Sequence, residues 1–378
     1  MGCCGRRRVM DRKIVFGRWE SIAFLVNAIC MQTFLNFPRI MVESAATAGW
    51  LLSLYISVLA LISFAIILKL YRRFEGKDII DVSELAGGSI LRIITGLVII
   101  MHIAVTTSII LREFGEDMKV IALEVSPISF VEMFFVLGMV VGAYVGIEAI
   151  VRFHSIVVPI IIVGYLVIIL GVAPYYDFRN LFPVLGLGWN DVFIKGAARV
   201  SSYSALILLF VIVPFLKTYK NLKIVGYWTI GLSTFFLTVS VVALLAVLPY
   251  PVGIESFLPI YQLARLISLG RFFQRIESVF VLIWAAAALL YLSSGFFVLL
   301  YVIRKTFKLE YYKPLIIPCA IIIFTLSLLP ESLFQAVYYE SAYIRNIGWL
   351  VTLGLVIIIL SIGNIRRKGK KKEAKGDA

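Results

Sequence analysis

Charge is scarce in this sequence of 378 residues: only 15% are Asp, Glu, Lys or Arg, against about 25% in a soluble domain. Polar stretches long enough to fold as a water-soluble domain are lacking as well. Hydrophobic residues make up 61% of the chain, and mean hydropathy is +0.99. Such a chain would expose too much apolar surface to stay in water, which excludes a soluble enzyme and a nucleic-acid module. The cysteines are Cys3, Cys4, Cys30 and Cys319, without the paired spacing of a zinc site or a disulfide framework. Histidine is limited to His102 and His154, so a histidine-rich metal site is excluded. No nucleophile–base pair stands out, and neither catalysis nor a cofactor or metal is expected. The first apolar run, starting near Trp19, lacks the small-residue cleavage site of a signal peptide.

What is present is a series of apolar segments, each near the roughly 20 residues that a membrane span needs. Ten can be bounded, at 18–37, 50–71, 89–111, 127–147, 154–172, 196–216, 222–248, 275–303, 314–330 and 344–363. The reading is an all-α integral membrane protein of ten transmembrane helices. Residues 1–17 and 366–378 form basic cytoplasmic tails around a membrane domain at 18–365. Cys3 and Cys4 are expected to be reduced thiols in the first tail, because Arg6 stands where a myristoylation signal needs Ser or Thr. Net charge is +14, but its distribution follows membrane topology rather than a nucleic-acid face. With the N-terminus inside, 25 Lys and Arg fall on the inner side and nine on the outer. That bias places both termini in the cytoplasm. Five spans at 18–172 and five at 196–363 predict two repeats inserted upside down relative to each other. The outer loop at 249–274 includes Pro259 and a following amphipathic stretch, read as a helix on the outer surface.

Chemistry is concentrated in a few places. Asn27 to Arg39 packs Asn27, Gln32, Thr33, Asn36, Pro38 and Arg39 into one span. Proline removes a backbone donor, and backbone freed in a bilayer must face protein or a water-filled cavity. A discontinuous, site-forming first helix is expected there. The run Ser201-Ser202-Tyr203-Ser204, followed by Ala205 and Pro214, weakens the sixth span in the same way. His102 and Thr106 share a face of the third span, and Tyr291 lies in the eighth. The expected ligand-contacting residues are thus Gln32, Thr33, Asn36, His102 and Thr106 from the first half. Ser201, Ser202, Ser204, Ala205 and Tyr291 complete them from the second. Glu148 and Arg152 are one turn apart and read as an ion pair that closes the cytoplasmic side or stabilises a turn. Arg275 and Glu277 read as a second structural pair at the outer edge. No acid falls in the middle of a span, which argues against an obligatory proton relay.

The ending Leu35-Asn36-Phe37-Pro38-Arg39 resembles the first-span signature of the spore-germination permease family. Gly146-Ile147-Glu148-Ala149-Ile150-Val151-Arg152, Asn180-Leu181-Phe182-Pro183, and Arg275-Ile276-Glu277-Ser278 with Trp284 follow in the family's order. The resemblance covers about residues 15–365. It implies the amino acid–polyamine–organocation superfamily and a leucine-transporter-like 5+5 inverted repeat with discontinuous first and sixth helices. It also implies the membrane B subunit of a nutrient-germinant receptor, in the bacterial cell or spore inner membrane. Such a subunit recognises a small germinant such as an amino acid, beside an A-type membrane subunit and a C-type lipoprotein. Two departures bear on the ligand. Met31-Gln32-Thr33 replaces the family's glycine-rich break, and Leu206-Ile207-Leu208 stands where relatives carry Gly-x-Glu. Glycine lets a ligand carboxylate approach freed amides. Its loss implies either a ligand unlike a simple amino acid or a structural part in the complex. Two other functional classes stay open at this stage: a stand-alone amino-acid transporter, and a water or ion channel within the assembly.

Overall fold

The computed structural model describes residues 15–267 and 276–376, with side chains described at 15–267 and 280–367. Cys3, Cys4 and Arg275, and the side chain of Glu277, lie outside what it describes. Regular structure among the described residues is helical throughout. Eight helices are long and apolar enough to cross a membrane, and a shorter apolar one spans Lys313–Ser327. The chain is a multi-pass integral membrane protein.

The helices in chain order are α1 (Arg18–Cys30), α2 (Phe37–Ala45), α3 (Gly49–Tyr71), α4 (Ile79–Ile121), α5 (Ile128–Val145) and α6 (Ile147–Gly171). After a loop come a π turn (Asn190–Ile194), a 3-10 stretch (Lys195–Leu206) and α7 (Ile207–Leu216). Then follow α8 (Tyr219–Val247), α9 (Pro259–Leu266), α10 (Ile276–Phe307) and α11 (Ile316–Ser327). The last helix is built in pieces: α12 (Leu333–Tyr339), a π turn (Glu340–Ile344), α13 (Arg345–Trp349), a second π turn (Leu350–Leu355) and α14 (Val356–Gly376).

Burial sorts these helices. Every residue of α1 from Ser21 to Ile29 is buried, as is α7 from Ile207 to Val213. A helix that is apolar all round belongs in the interior or in lipid, and these two form the axis of the bundle. By contrast α5, α6 and α11 turn Phe134, Ile156, Ile160 and Ile321 outward. Those exposed faces are the lipid-facing wall. Helix α9 is where the outer-loop pattern placed a helix, and it buries Ile260, Leu263 and Ala264 against the bundle.

Several expected boundaries need correction. The first segment does not end at 37: after the interruption the helix resumes and runs to Ala45, because Pro38 falls in the first turn of α2, where a missing N–H costs nothing. The fifth begins at Ile147 rather than 154, directly after Gly146 (φ +100°) reverses the chain. The third extends to Ile121, and its first nine residues are set off by Gly88 (φ +71°). The last helical run starts at Leu333 rather than 344.

Close approach of α3 and α8 depends on Gly226. A Cβ at that position would lie 1.9 Å from Phe64 Cζ. Small residues let helices in a bilayer meet at backbone distance. Gly226→Ala is therefore expected to lower the thermal midpoint of the detergent-solubilised protein, at a cost of about 1–3 kcal/mol. Adding Phe64→Leu should return part of that loss. An unchanged midpoint in Gly226→Ala would refute this packing.

Candidate functional site

Two irregular segments meet near the middle of the molecule. Helix α1 gives way at Met31 to a 3-10 turn, and Leu35 (φ −93°, ψ −130°) leaves helical geometry altogether before α2 begins. On the opposite side the stretch Lys195–Leu206 is wound as a 3-10 helix, with Tyr203 at φ −93°, ψ 15°. Runs of this kind longer than three or four residues are uncommon, because their hydrogen bonds are poorly aligned. The first helix is thus discontinuous as expected, whereas the sixth changes its winding without a gap. Tyr203 helps to hold that winding: its hydroxyl bonds Ser57 Oγ (2.7 Å) and Thr234 Oγ1 (3.1 Å).

Gln32 joins the two segments. Its Nε2 donates to the carbonyl of Ser202 at 2.9 Å, while its Oε1 accepts from the guanidinium of Arg345. Arg345 also pairs with Glu340 and lies over the ring of Phe37 at 5.8 Å. The π turn Glu340–Ile344 explains this pair, since i,i+5 winding brings residues five apart onto one face. Asn36 Nδ2 donates to Glu113 Oε1 at 3.0 Å, extending the network into α4. Glu113, Asp117, Glu340 and Arg345 are all buried, at 1%, 3%, 1% and 3% exposure. Three carboxylates thus share this region, and Arg345 is the one cation in direct contact with Glu340 among the described residues, with Arg199 close by on Ser341 Oγ (3.3 Å). Glu113 Oε2, Asp117 Oδ1, Glu340 Oε2 and Asn36 Oδ1 have no hydrogen-bond partner among the described residues.

Beside this network are two small cavities of about 30 Å³ each. The first is lined by Gln32, Thr106, Ser201, Ser202, Ser204 and Tyr291, with Ala205 adjoining, and Glu340 and Arg345 border it. The second carries His102 and shares Thr106, Ser204, Ala205 and Tyr291 with the first. Thr106 Oγ1 and Ser202 Oγ are buried without a hydrogen-bond partner among the described residues. Each cavity has room for water rather than for an amino acid. The structure is that of a closed bundle. The walls are tied to the last helix: Ser201 Oγ accepts from the Trp349 amide (3.0 Å) and Thr352 Oγ1 donates to the Ser204 carbonyl (2.8 Å).

Eight of the ten expected contact residues therefore converge on one pair of cavities. Thr33 does not: it faces a third cavity on the other side of the break, with Cys30, Phe34 and Tyr165. Asn36 points at Glu113 and belongs to the charged network. Glu148 and Arg152 do form an ion pair (2.5 Å), but with 48% and 66% of their side chains exposed on the first turn of α6. They stabilise that turn by at most about 0.5 kcal/mol.

Glu113, Glu340 and Arg345 were not expected here. Glu113 and Glu340 are acids buried within the helical bundle outside the spans bounded from the sequence, which weakens the argument from missing acids against proton coupling. Arg112 and Arg345, counted as outer-loop cations, are buried in helices, where Arg112 pairs with Glu116 (2.8 Å) and Glu132 (3.4 Å). The one local signal was the Glu340–Arg345 spacing of five, which suits a π turn but not an α-helix.

Comparison with known proteins fits this architecture. A family model described as spore germination protein matches residues 20–335. Spore germination protein YndE of Bacillus subtilis (strain 168) is 26% identical over 368 residues, covering 93% of this chain and 97% of its own length. Spore germination protein B2 of the same organism is 19% identical over 280 residues, covering 74% of this chain and 76% of its own length. Among solved structures, a Na+-coupled sialic acid symporter in a substrate-bound outward-open state superposes with TM-score 0.66 at 13% identity. That match covers 91% of this chain and 79% of the symporter. The inward-facing conformation of Mhp1 gives 0.60 at 13% identity, over 93% of this chain and 80% of the other. These likenesses show an all-helical fold of the leucine-transporter kind.

Proposed function

Because the chain belongs to the spore germination protein family, we propose that it is the membrane subunit of a nutrient-germinant receptor, binding a small germinant such as an amino acid. In this reading ten helices cross the membrane as two inverted five-helix repeats, 18–172 and 196–363. The interrupted first helix and the rewound sixth face each other across the site. Removing the buried Arg112 and Arg345 from the outer count widens the basic excess on the inner side, which supports cytoplasmic termini. The A-type and C-type subunits are the partners this reading calls for.

The observation that carries it is the bridge from Gln32 to the Ser202 carbonyl beside cavities lined by hydroxyls from α4, the sixth helix and α10. A ligand that inserts between Gln32 and Ser202 would replace that bond with its own. It would part the two segments and pull on Arg345. A ligand shifts such an equilibrium only by its differential affinity for the open and closed arrangements. Cavities of about 30 Å³ must enlarge on binding, so occupancy and conformation are coupled.

The second reading is a stand-alone amino-acid transporter, favoured by the likeness to two transporter structures. Purified protein in liposomes separates the two. Saturable binding of labelled amino acid without counterflow is the expected result for the receptor subunit. Saturable counterflow would establish transport instead, and absence of binding by a panel of amino acids would remove both readings.

A further inference from the structure

The largest cavity among these lies away from the site, at the end of the bundle that holds the beginning of α1. It is a concavity of about 500 Å³ where the turn between α3 and α4 meets α14. Its cationic lining is Arg73, Lys77, Arg366 and Arg367, and its one acid is Glu75. Glu75 is already engaged, since its Oε1 accepts from the Tyr219 amide at 2.8 Å. The nearby Asp78 and Asp81 are engaged too, both held by Lys305 Nζ at 2.5 and 2.6 Å. None of the four cations pairs with a carboxylate among the described residues. Four positive side chains therefore converge on one hollow that holds a single carboxylate among the described residues, an excess of positive charge.

The hollow is built rather than incidental. Phe74 lies beneath it, 3% exposed. Gly363 permits that placement, because a Cβ there would come within 3.0 Å of Phe74 Cζ. Arg367 donates to the carbonyl of Arg73, and Asn364 Nδ2 donates to the carbonyl of Leu70 at 3.0 Å, so α14 is tied to the end of α3. One wall is apolar and outward-facing: Leu85 lines the cavity at 52% exposure, and Ile365, beside Arg366 in sequence, is 70% exposed. Beyond Arg367 the sequence adds Lys368, Lys370, Lys371, Lys372 and Lys375.

We propose that this hollow binds the phosphate of an anionic phospholipid headgroup, with the acyl chains lying along the apolar wall at Leu85. Guanidinium groups match phosphate oxygens with paired donors. A basic hollow at the level where apolar helix surface ends is where a headgroup sits. Free phosphate shares the headgroup's chemistry but has nothing to place on the apolar wall.

The test uses the full chain, purified in neutral detergent and re-lipidated with phosphatidylglycerol or phosphatidylcholine. Lipid retained after size exclusion is quantified by mass spectrometry. Wild type should retain phosphatidylglycerol, and rising salt should release it. Arg73→Gln with Arg366→Gln and Arg367→Gln should lower that retention at least about tenfold. Phosphatidylcholine retention should not change. Arg179→Gln with Lys195→Gln, which removes exposed cations toward the opposite end of the bundle, should behave as wild type. Should the triple variant fail to fold, the salt response and the lipid selectivity of wild type decide the matter alone. Equal retention of both lipids by wild type, or undiminished phosphatidylglycerol on the triple variant, overturns the proposal. Thermal stabilisation by inorganic phosphate that matches that by phosphatidylglycerol would reassign the hollow to a free anion.

Discussion

Replacing Arg345 with methionine is expected to be among the most damaging single changes in the helical bundle, costing about 3–5 kcal/mol through loss of a buried charge partner. The side chain is 3% exposed and is the only cation bonded to Glu340 among the described residues. Without it Glu340 is left buried and unpaired, near Glu113 and Asp117, which are themselves short of donors. Gln32 Oε1 loses its donor at the same time, so the interrupted first helix is disconnected from the last. The measurement is thermal unfolding of the purified protein, together with its level in the membrane. Glu340→Gln in the Arg345→Met background removes the stranded carboxylate and should recover most of the lost stability. Neighbours in one network are not additive, and the cycle reads their coupling directly. The double variant should still fail in germinant response, because nothing then ties Gln32 to the last helix. A wild-type melting profile for Arg345→Met would show that this network does not hold the bundle together.

What the sequence made legible follows from what periodicity and composition encode. The break after Cys30 could be read because Gln32, Thr33, Asn36 and Pro38 crowd into an otherwise apolar helix, and Thr33, Asn36 and Pro38 weaken continuity by local mechanisms. The hydroxyl run at Ser201–Ser204 could be read for the same reason. The charged network could not. Hydropathy falls wherever Glu340 and Arg345 or Arg112 and Glu113 occur, so an apolar window ends there and the residues pass for loop. Their burial depends on partners 313 residues apart for Arg345 and Gln32, and 77 apart for Asn36 and Glu113. No short-range pattern contains that information. Gly88 and Gly146 were hidden differently: only their positive φ reveals that one divides α4 and the other starts α6 early. Thr33 was misplaced because it was grouped with Gln32 by polarity, although adjacent residues on a helix point to different faces and each here meets its own cavity.

Filling the hydroxyl-lined cavities should separate binding from folding. Thr106 and Ser204 each border both hollows, and neither side chain belongs to the charged network. Ser204→Leu adds carbon atoms to a space of about 30 Å³, which has room for water only. Overpacking of that kind costs about 1–3 kcal/mol, so the protein should still reach the membrane at near wild-type level. Germinant response should be lost, since the hollow can no longer widen around a solute. Thr106→Leu acts from the facing helix and should do the same. Thr106→Val is the complementary probe. It keeps the shape and removes a hydroxyl that has no partner among the described residues, so stability should hold or rise. Response should weaken if that hydroxyl meets the ligand. Concentration–response curves for spores carrying each variant, read beside immunoblots of membrane fractions, distinguish the outcomes. Normal responses from both leucine variants would place the ligand elsewhere in the molecule, while leaving the role of Arg345 in holding the bundle untouched.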